Sequence, residues 1–460
     1  MKRRQATRSG TWAASSAATW SGSYSGAGPI DPISLNPYLY FDARVNVNTE
    51  GGDVDLWYAQ WYGDPAPSNG LSDYLDQGTA EWKPIHSTDG YIQFDNVDTR
   101  LEYDPPVSQA GVLICATDNG IFAYEVDADS VDEITALGWE KGYFQTLKLY
   151  AMTLLPATVS DLQIAGVIQY FEEELGATRN PTGSLSSYWR GRTDIVTPKF
   201  AASDFSGVTD ISSAFRSSGL TSFPSISWAG CSGWDVAYMF YECSDLASFE
   251  APTNTSGITQ LVGTFNGCSS LTSMPVFDTS NVTGFNVAWL NCSLTSFPEF
   301  DVSSGTNFDH TWYNNDFAEF PDLTYNDSAG VGFQNAWNSC SSLTSFPASD
   351  LSMGTGFFRS WMSCTSLENF PANFFDYWSP GTPATNCFVG AWDGCSSLTA
   401  TSVENILNSI ATSGVDAPAS GPDITIDYDD GTGPPDISSA VTTLKACSPA
   451  WTITLNGVLQ

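Results

Sequence analysis

The chain has 460 residues, of which 15% are charged and 13% are aromatic, and its formal net charge is −35 at pH 7. A chain of this length exceeds what one hydrophobic core usually organises, so we expect two or three domains. The negative charge would repel phosphate groups, which argues against a nucleic-acid partner, and no apolar run is long enough to cross a membrane.

The first segment, residues 1–35, is rich in Ser, Gly and Ala. Its basic side chains are Lys2, Arg3, Arg4 and Arg8. Because the segment lacks an apolar stretch of secretory length, we do not expect export by a standard signal. Two interpretations stay open: a frayed terminus, or a flexible anchoring arm that becomes ordered against an acidic partner during assembly.

The second segment, residues 36–176, contains short apolar runs such as AGVLICAT and GIFAYEV, separated by Gly, Pro and Asp. Evenly spaced runs with turn residues between them predict a β-sandwich. A helix is predicted at the end of the segment. Ser160 is its expected N-cap, Gln163 completes a capping box, and Gly176 ends the helix.

Three parts of this segment resemble the laminin-G/concanavalin-like sandwich domains of phage and bacterial surface proteins. They are YFDAR at 40–44, GYIQFDNVDTRLEY at 90–103, and LKLYAMTLLPATVSDLQIAGVIQYFEEELG at 147–176. The resemblance implies a sandwich that spaces or oligomerises the protein. No carbohydrate or calcium ligand is transferred from that family to this chain.

Residues 177–200 contain Pro, Gly and Ser and are predicted to be a linker. Its basic side chains are Arg179, Arg190, Arg192 and Lys199. Arginines beside Tyr188 and Trp189 leave two interpretations: a docking point for a partner or a neighbouring domain, or an arginine–aromatic contact within the chain.

Residues 201–401 contain a phrase that recurs eight times: an aromatic residue, a cysteine-like position three residues later, a leucine, and usually Phe-Pro. The aromatic residues are Phe215, Phe240, Phe265, Trp289, Trp312, Trp337, Trp361 and Trp392. They follow one another at steps of 23 to 31 residues. This period predicts a solenoid of about eight coils, in which each unit must stack on its neighbours to bury its apolar face.

The aromatic, cysteine-like and leucine positions are expected to point inward, and Leu-Thr-Ser-Phe is expected to form a short strand in a parallel ladder. For the tryptophans an alternative stays open, an exposed ladder that stacks sugar rings. The cysteine-like column contains Cys243, Cys268, Cys292, Cys340, Cys364 and Cys395, with Ser218 and Asn315 in two copies. We expect free structural thiols, because side chains that stack in parallel have poor disulfide geometry.

The copy GTFNGCSSLTSMPVFDTSNVTGF at 263–285 resembles the BspA-type leucine-rich repeats of surface proteins almost word for word. Trp at five of the eight aromatic positions, with Phe-Pro after the strand, is similar to the copies found in structural proteins of tailed phages. The resemblance spans about 200 residues and implies a leucine-rich-repeat fold.

The last segment, residues 402–460, predicts helix, strand, helix and strand, a small α/β cap for the open end of the solenoid. Ser402 is expected to cap the first of these helices. The carboxylates of Asp427, Asp429 and Asp430 suggest either a calcium loop or a solvated turn, and Gly431 comes one position early for an EF-hand.

The sequence contains no nucleophile, phosphate-binding or zinc-protease motif and only two histidines, so we expect neither an enzyme nor a cofactor or metal. The overall prediction is a mainly β protein of the tailed-phage virion, a tail fibre or spike assembled in the host cytoplasm. Its expected partners are other virion proteins, through the arm and sandwich, a host receptor or glycan, through the solenoid, and further copies of itself. Two alternatives stay open: a capsid decoration (head-fibre) protein, and a bacterial surface adhesin or carbohydrate-binding protein.

Overall fold

The computed structural model describes residues 158–460 apart from 176–179, 194, 200–204, 327–329 and 419–422; before residue 157 it describes only strands between 39 and 156. The basic arm, Gly176 and Arg179 therefore lie outside the described residues. The described part is mainly β, with three α-helices.

The N-terminal strands join in one antiparallel sheet. These strands are β1 (Leu39–Asp42), β2 (Val47–Glu50), β3 (Asp53–Tyr58), β4 (Tyr74–Asp76), β5 (Ile85–His86), β6 (Ile92–Phe94), β7 (Glu102–Asp104), β8 (Gly111–Thr117), β9 (Gly120–Val126) and β10 (Leu147–Pro156). With β12 (Ile195–Pro198) the order is β12-β9-β8-β10-β6-β5-β3-β4-β7, while β1 also pairs with β10 and β2 with β3. The pairing links eleven strands in a single sheet, and the two-layer sandwich stays a prediction.

Helix α1 (Asp161–Leu175) packs on strands β8 and β9 of this sheet. The predicted capping box is confirmed. The Ser160 N–H donates to Gln163 Oε1 at 2.9 Å, and the Gln163 N–H donates to Ser160 Oγ at 3.3 Å. The small core beneath the helix includes Val112, Ile114, Ile121, Ala123, Leu155, Ile164, Val167, Ile168 and Phe171.

From Trp189 to Trp392 the described chain forms nine stacked units, each marked by one inward aromatic ring. Main-chain N–H groups of alternate residues donate to carbonyl oxygens of the following unit: Phe215 N–H to Met239 O at 2.9 Å, and Trp337 N–H to Ser360 O at 2.8 Å. Because the donors point the same way at each step, the units stack in register along one direction.

The strands between these units are short and parallel. They are β11 (Thr182–Ser184) with β13 (Gly207–Asp210), β14 (Ser222–Phe223) with β15 (Ser248–Phe249), and β16 (Val331–Gly332) with β17 (Gly354–Gly356). The Leu-Thr-Ser-Phe strand expected in every repeat is a two-residue strand only at β14 and β15. At the equivalent positions elsewhere in the described stack, the pairing consists of isolated parallel bridges such as Glu319–Ser345 and Ser345–Asn369.

The first stacked unit lies inside the predicted linker. Trp189 has no exposed surface, and its ring stacks on Phe215 with centroids 4.5 Å apart and planes at 7°. Strand β12 of the same stretch pairs with β9, and Phe122 of β9 contacts the Trp189 ring at 5.0 Å. The boundary placed at residue 200 therefore falls after the first unit, and this unit joins the sheet to the stack. The motif search missed it because Arg192 occupies the cysteine-like position.

After the last ring the chain forms the predicted helix–strand–helix–strand order and a further short strand. The elements are α2 (Ala400–Ser413), β18 (Asp423–Ile426), α3 (Ser438–Ala446), β19 (Thr452–Leu455) and β20 (Val458–Leu459). A parallel bridge joins Trp392 to Ile426 in β18, and β18 pairs in parallel with β19. The C-terminal elements thus continue the direction of the stack.

The cap assigned to α2 from the sequence is wrong. Thr399 is the N-cap, and its Oγ1 accepts the Ser402 N–H at 3.3 Å. Ser402 lies in the first turn, where its hydroxyl donates to the Glu368 carbonyl of the preceding unit at 2.8 Å. Both hydroxyl residues suit an N-cap chemically. Thr399 serves because its backbone is extended, with φ −75° and ψ 156°, whereas Ser402 already lies inside the helix.

Candidate functional site

The tryptophans of the aromatic column form the centre of the stack. Trp289, Trp312, Trp337, Trp361 and Trp392 have no exposed surface. From Trp312 onward successive rings lie nearly parallel, with centroids 5.2 Å apart for Trp312–Trp337, 5.5 Å for Trp337–Trp361 and 5.4 Å for Trp361–Trp392. A ring without exposed surface cannot stack a sugar, so the alternative of an exposed tryptophan ladder is excluded.

Two further aromatic columns line the interior, and the sequence analysis did not single them out as columns. The Phe of Phe-Pro packs edge-on against the tryptophans: the ring centroids of Phe346 and Trp337 are 4.8 Å apart, and the two ring planes make an angle of 78°. A third column lies four residues before each ring, where Phe308 and Phe333 stack at 5.2 Å and 6°. The sequence contains a signal for this third column, because every copy from Ile211 onward has an apolar residue four positions before the ring.

The cysteine column is a column of hydrogen-bond donors. Each thiol donates to the carbonyl of the aromatic residue in the preceding unit: Cys243 to Phe215, Cys268 to Phe240, Cys292 to Phe265, Cys340 to Trp312, Cys364 to Trp337 and Cys395 to Trp361, at 2.8 to 3.2 Å. All six are buried free thiols. Asn315 performs the same task, because its amide donates to the Trp289 carbonyl at 2.8 Å.

Burial favours the protonated form, which a donor needs, in five of these thiols. It raises the pKa of the Cys243 thiol to about 11 and that of Cys340 to about 12. The pKa values of Cys268, Cys292 and Cys364 are raised for the same reason. Thiols whose pKa values are raised in this way are poor nucleophiles at neutral pH, so the hydrogen bonds that these five donate indicate a structural role.

Two residues in every unit have a positive φ, the second residue before the ring and the second after it. The pairs are Ser187/Gly191, Ser213/Ser217, Tyr238/Glu242, Gly263/Gly267, Val287/Asn291, His310/Asn314, Asn335/Ser339, Arg359/Ser363 and Gly390/Gly394. The repeated bend turns the intervening ring inward. Val287 is the least suited of these residues, because a β-branched side chain rarely adopts its φ of 53°.

The acidic C-terminal turn closes the last unit. Asp427 Oδ2 accepts the Gly394 N–H at 2.8 Å, and Thr425 Oγ1 accepts the Gly390 N–H at 2.7 Å. These side chains replace the main-chain carbonyls that the next unit supplies elsewhere. Asp429 accepts the Gly431 N–H within its own turn at 2.9 Å. Among the described residues no group of three His, Cys, Asp or Glu side chains is arranged to hold a metal ion.

One outer surface of the stack carries aromatic and planar polar side chains, next to the inward rings. We call it the outer aromatic face; it consists of Arg216, Tyr238, Tyr241, His310, Tyr313 and Arg359. Each of these residues lies two positions before an inward ring or one position after it. Since the units stack in register, the two positions form neighbouring columns.

Contacts along this face hold its rings in place. The ring centroids of Tyr238 and Tyr241 are 5.9 Å apart, and the Arg216 guanidinium lies 4.3 Å from the centre of the Tyr241 ring. The main chain of Gly263, in the next unit, supports Tyr238, because a Cβ there would come within 2.5 Å of the ring. The ring centroids of His310 and Tyr313 are 6.0 Å apart. Burial lowers the pKa of the His310 imidazole, and the nearby Asp309 carboxylate partly opposes this effect.

No known protein family, curated protein or solved structure matches this chain. Within the described part, no helix has the length and apolar character needed to cross a membrane. The function is therefore inferred from the residues of the chain itself.

Proposed function

We propose that the protein is a non-enzymatic structural protein of a tailed-phage virion, a tail fibre, spike or similar appendage. In this proposal the nine units are a leucine-rich-repeat solenoid, the N-terminal strands are a concanavalin-like sandwich, and the C-terminal elements are an α/β cap. The solenoid projects outward and recognises the host surface, while the basic arm and the sandwich bind other virion proteins.

The observation that carries the proposal is the unbroken interior of the stack. Ring stacking runs from Trp189 through the phenylalanines to Trp289 and again from Trp312 to Trp392, and the Phe297 ring contacts both Trp289 and Trp312. Main-chain hydrogen bonds join each pair of neighbouring units. Such a body is long and stiff, because every unit is fixed to both neighbours. A stiff rod with a large lateral surface suits projection and binding better than catalysis.

Both ends of the rod are covered, which suits a protein that must not polymerise through its open coils. The sheet covers the first unit through the contact between Phe122 and Trp189, and the last unit is covered by Thr425 of strand β18 and by Asp427, which follows that strand. Residues 201–460 include 25 acidic and 3 basic residues. Mutual repulsion of such rods opposes lateral aggregation at high copy number.

The experiment is immunogold electron microscopy of particles from cells that carry the gene, with an antibody against residues 201–460. The proposal predicts label on the virion, and label at the tail identifies a receptor-binding fibre. Label over the capsid would instead identify a head fibre. Label on intact cell surfaces without particles would contradict the proposal and favour an adhesin.

The anchoring role of the arm has its own test within the same particles. A chain that lacks residues 1–30 is expected to fold and to be missing from virions, because Lys2, Arg3, Arg4 and Arg8 no longer bind an acidic partner. Normal incorporation of the truncated chain would contradict that role.

A further inference from the structure

We propose that the outer aromatic face binds a neutral carbohydrate chain, an inference that rests on the proposed role in host-surface recognition and names its ligand. The chemistry required is a set of aromatic rings for the C–H faces of sugar rings, with polar groups beside them for the hydroxyls. The buried tryptophans cannot supply these rings, whereas the tyrosines of the outer face can.

The tyrosine rings on this face are available to a ligand. Tyr238, Tyr241 and Tyr313 are half-buried, so part of each ring is fixed against the stack and part faces solvent. Their hydroxyls make no hydrogen bond with any described protein group. Tyrosine provides a large, rigid and amphipathic contact area at a low cost in side-chain entropy, and for this reason it is common in binding surfaces.

The rings are positioned before a ligand arrives. Tyr241 contacts both the Tyr238 ring and the Arg216 guanidinium, and Gly263 leaves the space that the Tyr238 ring occupies. A preorganised surface loses less entropy on binding, so modest contacts yield measurable affinity. The glycine is thus part of the face although it has no side chain.

Planar polar side chains one position further along the chain can exchange hydrogen bonds with sugar hydroxyls. The exposed amides of Asn291 and Asn314 form a pair in which Asn314 Nδ2 donates to Asn291 Oδ1 at 3.0 Å. The Asn314 amide follows the Tyr313 ring directly in the chain. Each amide retains donors or acceptors beyond the one that the pair uses.

Charge selects a neutral ligand. The protein carries a net charge of −35, which repels anionic polysaccharides. Two of the three basic residues after residue 200, Arg216 and Arg359, belong to this face, and both guanidinium groups lie over aromatic rings at 4.3 and 4.7 Å. The face is therefore locally less acidic than the rest of the stack, without being a cationic site.

The test measures binding of the full chain by biolayer interferometry to immobilised neutral polysaccharides: a glucan, a galactan, a mannan and a xylan. Polygalacturonate serves as the anionic comparison. Tyr241→Ala and Tyr313→Ala remove rings from the face, and Gly263→Ala displaces the Tyr238 ring without removing it. Tyr377→Ala is the matched control, because Tyr377 is 86% exposed and lies outside the two columns.

The wild-type chain is expected to bind at least one neutral polysaccharide and to leave polygalacturonate unbound. Tyr241→Ala and Tyr313→Ala should each weaken binding about tenfold or more. Gly263→Ala should weaken it as well, and Tyr377→Ala should not. Melting temperatures close to the wild-type value for both tyrosine variants would show that the loss is not due to unfolding.

Failure of this inference is distinguishable from failure of the virion proposal. Absence of wild-type binding to every neutral polysaccharide, or wild-type affinity in both tyrosine variants, would overturn the inference even if immunogold labels the virion. Loss of affinity in Tyr377→Ala equal to that in Tyr241→Ala would also overturn it. If binding depends on the tyrosines but immunogold never labels particles, carbohydrate binding by the outer aromatic face is supported and the virion role is contradicted.

Discussion

The interior and the outer face of the stack are made by the same units, yet they differ in how strictly each position repeats. The inward ring is Trp or Phe in all nine units. Two residues before it, the outer position holds residues as different as Tyr238, Gly263, Val287 and His310. An interior position must fill the same space in each unit, whereas an outer position is enclosed on one side only and tolerates side chains of different size. Stability is thus distributed over the whole stack, whereas the recognition that we propose involves only a few units.

The largest effect is expected from truncation of an interior ring. Trp337 stacks between Trp312 and Trp361 without exposed surface, so Trp337→Ala should lower the free energy of unfolding by about 3–5 kcal/mol. The control Tyr377→Ala should change it by less than about 0.5 kcal/mol. Urea unfolding of the two variants measures both values, and similar values would contradict the distinction between interior and surface.

The thiol column should make stability fall in alkali. Burial raises the pKa of Cys243 from 9.0 to about 11, so the folded chain favours the protonated thiol. The stabilisation is complete below pH 9 and decreases as the pH rises from 9 to about 11, by up to about 1.4 kcal/mol for each pH unit. Unfolding measured across this window should show the decline. Cys243→Ser keeps a donor that does not titrate and should make the decline shallower; an unchanged slope would contradict the assignment.

Removal of the acceptor that closes the last unit should have a smaller effect. Asp427→Ala leaves the Gly394 N–H without its partner, which should cost about 1 kcal/mol. Asp427→Asn retains an oxygen that can accept the same hydrogen bond and should cost less. Thermal unfolding compares the two variants. Equal melting temperatures for Asp427→Ala and the wild-type chain would show that the closing contact contributes nothing.

The smallest expected change is a gain in stability. Val287 adopts a left-handed conformation that Asn335 adopts at the equivalent position two units later. Because asparagine tolerates this conformation better than valine, Val287→Asn should stabilise the chain by about 1 kcal/mol. The melting temperature measures the gain. A lower value would mean that packing of the valine side chain outweighs the backbone strain.

The period of the interior made much of the stack predictable from the sequence. The aromatic and cysteine-like positions are visible because they recur at a nearly constant step, and the stack requires that recurrence. The unit at Trp189 was missed because Arg192 replaces the cysteine that marks later copies. Its membership follows from stacking on Phe215, a contact that no local pattern encodes.

The outer aromatic face could not be predicted from the sequence, because its positions do not have to fill the same space in each unit and therefore vary. Tyr241 and Tyr313 occupy one column, but asparagine and leucine occupy that column in the two units between them, so no period marks it. The choice of Thr399 over Ser402 as a cap was also unpredictable. Both residues have hydroxyls that donate to the Glu368 carbonyl, and the backbone separates them, because Thr399 is extended whereas Ser402 lies inside the helix.

The most direct test of the division between interior and outer face measures melting temperature and polysaccharide binding in the same samples of two variants. Trp337→Phe keeps an aromatic ring in the interior, as Phe265 does in an earlier unit, and should lower the melting temperature while retaining binding. Tyr241→Ala should retain the melting temperature and lose binding. Binding lost in Trp337→Phe and retained in Tyr241→Ala would contradict the account.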